Sequence, residues 1–270
     1  MHAWHWRTWS GLPYLTCSLL EPWYHGFFTK QFSPSSPFEI TKALHPEASV
    51  YRLKQVHGNT IFSPQEIEDW LTKSIINEGE VDSAFASGDG LISTAPLQAI
   101  WVATADCTPV LVADEKTGQV AAVHAGWRGT ALKIVPQAIS RLQAQGSKLE
   151  NLRIAMGPAI AGEVYQVSEH VAAEVGASLI PHNDEKAILD ALQDISLSPL
   201  LPDPEPGRVR LDVRRVNTLQ MEMLGISVEQ IAIAPYCTYQ TPEYFFSYRR
   251  EHQKKVQWSG IVSKRVTSDQ

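Results

Sequence analysis

The spacing of apolar and polar residues changes several times along the chain, so both strands and helices are predicted. Strands are predicted for five apolar runs rich in β-forming residues: "LQAIWVATAD", "TPVLVAD", "GQVAAVHAG", "NLRIAMGP" and "EQIAIAPYCT". The turn "DEKTG" separates the second run from the third and predicts a hairpin there. The stretch "ASVYRLKQVHGNTIF" predicts two shorter strands around a turn at Gly58 and Asn59.

Helical spacing occurs in three other segments. The first is "TALKIVPQAISRLQAQG", with Gly146 as its C-terminal cap. The second, "VSEHVAAEVGASL", begins at the capping residue Ser168, and the third, "LDVRRVNTLQMEMLG", ends at Gly225. Four prolines and a glycine in residues 197–208 predict a surface loop. Because strands occur in groups as well as alternating with helices, the pattern predicts an α+β fold with a mixed sheet.

Composition and charge narrow the classes of function. The chain has 270 residues, 44% of them hydrophobic, a net charge of −6 and a pI near 5.8. It can bury a sizeable core, and it lacks the basic balance expected of a nucleic-acid-binding protein. No apolar run reaches the ~18 residues of a membrane helix, and the N-terminus lacks the apolar segment of a signal peptide. Three scattered cysteines do not form a disulfide framework, so we expect a reducing, cytoplasmic setting.

Three residues at strand ends or in neighbouring turns carry metal-binding chemistry. His57 closes "RLKQVHG", Cys107 lies in "TADCTP", and His124 closes "VAAVHAG". Two imidazoles and a thiolate suit Zn²⁺, and three protein ligands leave the open position of a catalytic zinc. A structural interpretation is also available, because free cysteines are often buried and a histidine beside a glycine turn often serves the fold. Spacing alone does not decide between the two.

A set of motifs in a fixed order adds information that spacing lacks. They are "KQVHGN", "TADCTPVLV", "VAAVHAGWRGT", "MGPAI", "YQV", "CT" and "FFSYRR". In this order the chain resembles the bacterial laccase-domain family across residues 51–262. That family has been named polyphenol oxidoreductase, and its better-supported activity is purine nucleoside phosphorolysis. The resemblance implies a mixed β-sandwich flanked by helices, in a single domain over residues 1–270, and a zinc ion held by His57, Cys107 and His124.

The resemblance also implies an activity and a set of site residues. We expect a zinc-dependent purine nucleoside phosphorylase that acts on adenosine, inosine or guanosine with phosphate, and adenosine deamination as a second activity. The candidate catalytic residues are Cys107, His124 and Asp106, the last as an orienting group or a proton acceptor. The candidate substrate-binding residues are Gly126, where the backbone comes close, Arg128, Arg249 and Arg250 for phosphate, and Tyr248 for the purine ring.

Several alternatives stay open. Copper could replace zinc in a polyphenol oxidoreductase, although nine histidines with no His-X-His pair do not suit a multicopper centre. Cys107 and His124 could instead form the nucleophile and base of a thiol hydrolase. A non-enzymatic module is a third alternative. Residues 1–50 match the family pattern less well, and the sequence assigns no oligomeric state.

Overall fold

The computed structural model describes residues 2–78 and 85–265. Its strands are β1 (Trp4–Trp9), β2 (Leu12–Cys17), β3 (His25–Phe28), β4 (Ser49–Arg52), β5 (Ile61–Phe62), β6 (Gly90–Ile92), β7 (Gln98–Thr104), β8 (Thr108–Asp114), β9 (Val120–Ala125), β10 (Leu152–Met156), β11 (Gln166–Ser168), β12 (Leu200–Pro202), β13 (Arg208–Leu211), β14 (Ile231–Ile233) and β15 (Gln257–Val262). Its helices are α1 (Pro37–Ile40), α2 (Pro64–Glu78), α3 (Trp127–Ala131), α4 (Ile134–Ala144), α5 (Glu169–Gly176), α6 (Glu185–Gln193), α7 (Val213–Met223) and α8 (Tyr248–Glu251). No helix in the described ranges is long and apolar enough to cross a membrane.

The described strands form three sheets. The first has the order β1-β2-β3-β15-β7-β4, the second β14-β10-β8-β9-β6-β5, and the third, smaller sheet β11-β13-β12. Parallel pairs such as β4–β7 occur beside antiparallel pairs such as β8–β9, so the sheets are mixed. The predicted α+β class is confirmed.

The alternation of side chains along the strands divides the core into layers. Ile100 and Val102 of β7 share one buried cluster with Leu111 of β8, which joins the first sheet to the second. The intervening Trp101 belongs to a separate cluster on the other side of the first sheet. Val110 packs in a third cluster, between the second sheet and helices α4 and α7. At β7 and β8, both large sheets are therefore apolar on both faces, which explains the near-continuous apolar runs of these two strands.

Several local predictions are confirmed and others are wrong. The β8–β9 hairpin forms as predicted. The helix predicted from residue 130 is interrupted at Lys133, whose φ of 57° separates α3 from α4. The predicted proline-rich loop contains β12, an edge strand on which Pro202 needs no ladder partner for its nitrogen. The two short strands predicted around Gly58 form as β4 and β5, and they lie in different sheets.

Two crossings between the large sheets place the candidate ligands together. The loop from β4 to β5 carries His57, and the loop from β7 to β8 carries Cys107. Because β4 and β7 are parallel neighbours, both loops leave the first sheet at the same end, where these two strands finish. His124 on β9 pairs with Pro109, two residues after Cys107. Residues far apart in sequence therefore meet at one end of the sandwich.

Candidate functional site

His57, Cys107 and His124 form one cluster. The side-chain atoms that could bind a metal all lie within 4.8 Å of one another. In residues 2–78 and 85–265, this is the one such group of three or more His, Cys, Asp or Glu side chains. The two imidazole rings are 4.8 Å apart and nearly perpendicular. His57 is exposed, Cys107 is half-buried and His124 is buried. The cluster could hold a metal ion, and it is open to solvent on the His57 side.

The charges of Cys107 and His124 depend on each other. Burial would raise the pKa of the Cys107 thiol, but the two histidines outweigh it and lower that pKa to about 6. Burial opposes a charge on His124 as well, yet Cys107 and Asp89 together raise its pKa to about 9. At neutral pH the metal-free pair is therefore a thiolate beside an imidazolium. The thiolate is the form of cysteine that binds metals.

Asp89 is a site residue that the sequence did not predict. It is fully buried, and it accepts hydrogen bonds from the backbone N–H groups of Val56, His57 and Gly58, at 3.2, 2.9 and 2.7 Å. It also accepts one from Nδ1 of His124, at 2.8 Å. Burial would raise the pKa of Asp89, but these donors hold it below its usual range. The segment "SGDGL" gives no local pattern for this role, because every partner of the carboxylate comes from another part of the chain.

Asp106 has both carboxylate oxygens engaged. Its φ is 86°, in the left-handed region that favours glycine. One oxygen accepts a hydrogen bond of 2.6 Å from the Thr238 hydroxyl, and the other accepts one of 2.7 Å from the Arg249 backbone N–H. The residue before Cys107 therefore fastens the first turn of α8 to the site. Its expected role as a proton acceptor stays a prediction.

The predicted arginines have different surroundings. The Arg249 guanidinium lies 4.9 Å from the centre of the Tyr165 ring, and its Nη1 donates to the Gln166 carbonyl at 2.8 Å. Arg128 is exposed and lies 4.3 Å from the centre of the Trp127 ring. No hydrogen bond or ion pair of the Arg128 side chain was found within the described part of the chain, so its donors are available to a ligand.

Arg250 and Tyr248 are placed less favourably for a substrate. Arg250 donates to the backbone carbonyls of Thr238, Tyr239 and Phe245, and it pairs with Glu251 at 2.6 Å. These bonds hold the loop before α8, and they occupy the donors of the guanidinium. Tyr248 is 51% exposed, with its ring edge-on to His252. Its expected contact with a purine stays a prediction.

Tyr165 is a second residue that the sequence did not single out. Burial is the main cause that raises its pKa to about 12, and the charge of Cys107 adds to it. The charges of Arg249, Asp106 and Arg128 also act on it, so the hydroxyl stands among the site residues. It keeps its proton at neutral pH and can serve as a hydrogen-bond donor.

Glycines allow α3 to approach the cluster closely. Gly126 is the N-cap of α3, and a Cβ added there would lie 2.8 Å from Cys107 Sγ. At Gly129 an added Cβ would lie 3.0 Å from the Gly58 carbonyl oxygen. Both positions lack space for a side chain. At Gly126 the backbone therefore comes close to the Cys107 sulfur, and the expected contact of Gly126 with a substrate stays a prediction.

Comparison with known proteins places the chain in a family. Residues 38–264 match the family described as multi-copper polyphenol oxidoreductase laccase. The chain belongs to this family. A member from Synechocystis sp., named purine nucleoside phosphorylase, is 51% identical over 263 residues, which cover 96% of this chain and 97% of that protein. The resemblance drawn from the sequence motifs is thereby confirmed.

One further protein and one solved structure are similar to this chain. A protein from an unknown prokaryotic organism, named adenosine deaminase, is 30% identical over 171 residues, which cover 63% of this chain and 60% of that protein. The crystal structure of YlmD from Geobacillus stearothermophilus has a TM-score of 0.75 at 24% identity, with 97% of this chain and 99% of that chain covered. At this identity the likeness supports the fold alone.

Proposed function

We propose that this chain is a zinc-dependent purine nucleoside phosphorylase that acts on adenosine, inosine or guanosine. The observation that carries the proposal is the exposed His57, Cys107 and His124 cluster, in a chain 51% identical over almost its whole length to a protein named for this activity. In the reaction, a phosphate oxygen forms a bond to the anomeric carbon of the ribose. The bond to the purine nitrogen breaks, its electron pair stays with the base, and the base takes up a proton.

The donor set suits zinc. Two imidazoles and one thiolate are ligands that zinc prefers, and three of them leave a position for substrate. The lowered pKa of Cys107, about 6, provides the thiolate, and Gly126 leaves the space beside the sulfur clear. A zinc ion bound there would supply Lewis-acid stabilisation of negative charge on a substrate oxygen. A multicopper centre would need several ligand clusters, whereas residues 2–78 and 85–265 contain one such group.

The chain's own residues bind and orient the reactants in this proposal. The Arg128 guanidinium lies against the Trp127 ring and has no hydrogen-bond or ion-pair partner among residues 2–78 and 85–265, and its planar donors match phosphate oxygens. Arg249 adds a second positive charge, held in place by Tyr165 and the Gln166 carbonyl. The Tyr165 hydroxyl, protonated at neutral pH, donates a hydrogen bond to the phosphate or to the departing base.

Adenosine deamination is the second candidate, favoured by the relative named adenosine deaminase. There, water adds at purine C6, the C6–N bond breaks, and ammonia leaves with inosine as the product. The thiol-hydrolase alternative also has an observation in its favour, because the reactive atoms of Cys107 and His124 lie within 4.8 Å of each other, and each group favours the charged form of the other. It predicts activity that survives metal removal.

One assay separates these functions. Protein purified without a metal-affinity tag is analysed for metal and then incubated with adenosine, with and without phosphate. We expect about one zinc per chain, adenine formation that requires phosphate, and loss of turnover in Cys107→Ala. Inosine formed without phosphate would favour deamination. Turnover that survives chelation would favour the thiol hydrolase. No product from adenosine, together with no free base from inosine or guanosine in the presence of phosphate, would contradict the nucleoside proposal.

A further inference from the structure

We propose that Asp89 is the positioning residue of the metal site, and that this one carboxylate holds both histidine ligands at once. It reaches His57 through the backbone and His124 through the imidazole ring. The inference rests on the metal site of the proposed function, but not on the nucleoside chemistry. Asp89 does not touch the substrate in this proposal, and it acts through the two ligands.

The first contact fixes the loop that carries His57. Three consecutive backbone N–H groups, from Val56, His57 and Gly58, converge on the two oxygens of Asp89. Converging backbone donors of this kind form a concave site for an anion. His57 has a φ of 61°, a conformation that costs free energy in a residue with a side chain. The three hydrogen bonds offset that cost and set the direction in which the imidazole leaves the loop.

The second contact fixes which nitrogen of His124 can bind a metal. Nδ1 lies 2.8 Å from Oδ1 of Asp89, so Nδ1 carries a proton and donates it to the carboxylate. Nε2 is then the nitrogen left to bind the metal beside Cys107. A carboxylate behind a histidine ligand fixes the tautomer and the ring orientation, and its loss typically weakens metal binding about 10- to 100-fold.

The pattern of partners requires an aspartate rather than an asparagine. All four recorded partners are donors: the N–H groups of Val56, His57 and Gly58, and Nδ1 of His124. An asparagine has only one acceptor oxygen, so its NH₂ group must face donors on one side. If it faces Val56 and Gly58, the His57 loop loses two of its three hydrogen bonds. If it faces His124, the ring must accept at Nδ1, and its proton moves to Nε2, where a metal would bind.

The chain provides a matched control in Asp114. This aspartate is also fully buried, and one of its oxygens accepts from the N–H groups of Lys116 and Thr117, at 2.7 and 2.8 Å. Its other oxygen has no partner in the described structure, so an asparagine can make the same bonds. Asp114 lies at the far end of β8 from Cys107. Asp114→Asn therefore tests a buried aspartate without a metal-site role.

The experiment measures zinc affinity by competition with a chromogenic chelator, with no nucleoside present. We expect Asp89→Asn to weaken zinc binding about 10- to 100-fold, and Asp114→Asn to leave it unchanged. Asp89→Asn that is folded and binds zinc as tightly as the wild type would overturn the inference. Wild-type protein that binds zinc but forms no adenine would contradict the phosphorylase and leave the role of Asp89 standing. Wild-type protein that binds no zinc would contradict both.

A second measurement is made on the wild-type protein, and a variant serves only to assign its resonances. In zinc-loaded wild-type protein with ¹⁵N-labelled histidine, the proposal requires a protonated Nδ1 and a metal-bound Nε2 in His124. The assignment uses His124→Gln, which removes that resonance pair. Zinc bound through Nδ1 would overturn the inference. A merely structural role for Asp89 would not fix the side of the ring that binds the metal.

Discussion

At the residue scale, the lowered pKa of Cys107 beside His124 predicts how fast the thiol reacts at different pH values. The pKa of Cys107 is lowered to about 6, whereas the pKa of a free cysteine thiol is about 8.5. In metal-free protein, alkylation of Cys107 by iodoacetamide should therefore rise through about pH 6 and level off at neutral pH, because the thiolate is the nucleophile. Excess zinc should block it. Cys17 is buried with a raised pKa and should stay unlabelled. If the alkylation rate instead had its midpoint at about pH 8.5, the histidines would not stabilise the thiolate.

The two arginines can be distinguished by phosphate titration. A charge-assisted hydrogen bond contributes about 1.5–3 kcal/mol, so Arg128→Ala should raise the KM for phosphate about 10- to 100-fold. Arg128→Lys should recover part of this, because lysine keeps the charge without the planar donors. Adenine is followed at saturating adenosine, with inosine measured in parallel. Equal losses of both products would mean that Arg128 does not grip phosphate, and the same titration on Arg249→Lys would then test Arg249.

His25 should make stability depend on pH below neutrality. Burial, reinforced by the charge of Arg7, lowers its pKa to about 4. Its Nε2 accepts from the Cys17 N–H at 2.8 Å, so the folded state disfavours a proton there. Stability is complete above the unfolded pKa of about 6.5 and falls toward pH 4, by up to about 3 kcal/mol. Urea denaturation at pH 7 and 4.5 should show a smaller loss in His25→Gln than in the wild type. Equal losses would contradict the role of His25.

At the residue scale, the sequence predicted the metal ligands but not the residue that hydrogen-bonds to them. His57, Cys107 and His124 could be proposed because their side chains have distinctive chemistry at strand ends. Asp89 could not, because three of its four recorded partners are backbone N–H groups of residues about thirty positions away, which only the fold brings together. The sequence also could not separate Arg249 from Arg250. They are neighbours on one short helix, and their surroundings come from different loops.

At the scale of elements, close packing between β7 and β15 can be tested. Gly260 pairs with Trp101, and a Cβ added at Gly260 would lie 2.4 Å from the indole ring. The ring is almost fully buried and cannot move freely, so Gly260→Ala should destabilise the protein by about 1–3 kcal/mol in denaturant unfolding. Trp101→Leu leaves space at the same contact. The double variant should therefore cost less than the sum of the two single variants. Strictly additive costs would show that the two residues do not compete for space.

Element boundaries show where local patterns were insufficient. The apolar spacing of residues 130–146 is continuous, so the break at Lys133 was not predicted, although Gly146 ends the helix in the left-handed region as expected. The prolines of residues 197–208 indicated a loop, so β12 was not predicted. An edge strand tolerates proline, because it needs a hydrogen-bonding partner on one side only. Both errors concern backbone pairing or helix direction, which tertiary contacts decide.

At the scale of the whole molecule, the class of fold was predictable and the strand pairing was not. Long apolar runs indicated buried strands, and their grouping indicated mixed sheets. The pairing of β15 with β3 and β7 joins residues more than 150 positions apart, and no local pattern encodes it. The parallel pairing of β4 with β7 is also non-local, and it brings the two crossing loops to the same end of the first sheet. That residues 1–270 form one domain stays a prediction, supported by the buried cluster that the first and second sheets share.

The position of the site relative to the core predicts what metal removal does. The buried clusters between the sheets and beneath α4 and α7 are apolar and do not include the three ligands. Chelation should therefore leave the far-ultraviolet circular dichroism unchanged at 25 °C and abolish turnover. Zinc binds the folded state, so it should raise Tm with increasing free zinc, by about 2.7 kcal/mol of stability at a hundredfold excess over Kd. Cys107→Ala should have the same Tm with and without zinc. Cooperative unfolding on chelation would instead mean that the ion holds the crossing loops together as a structural element, and the catalytic interpretation would fail.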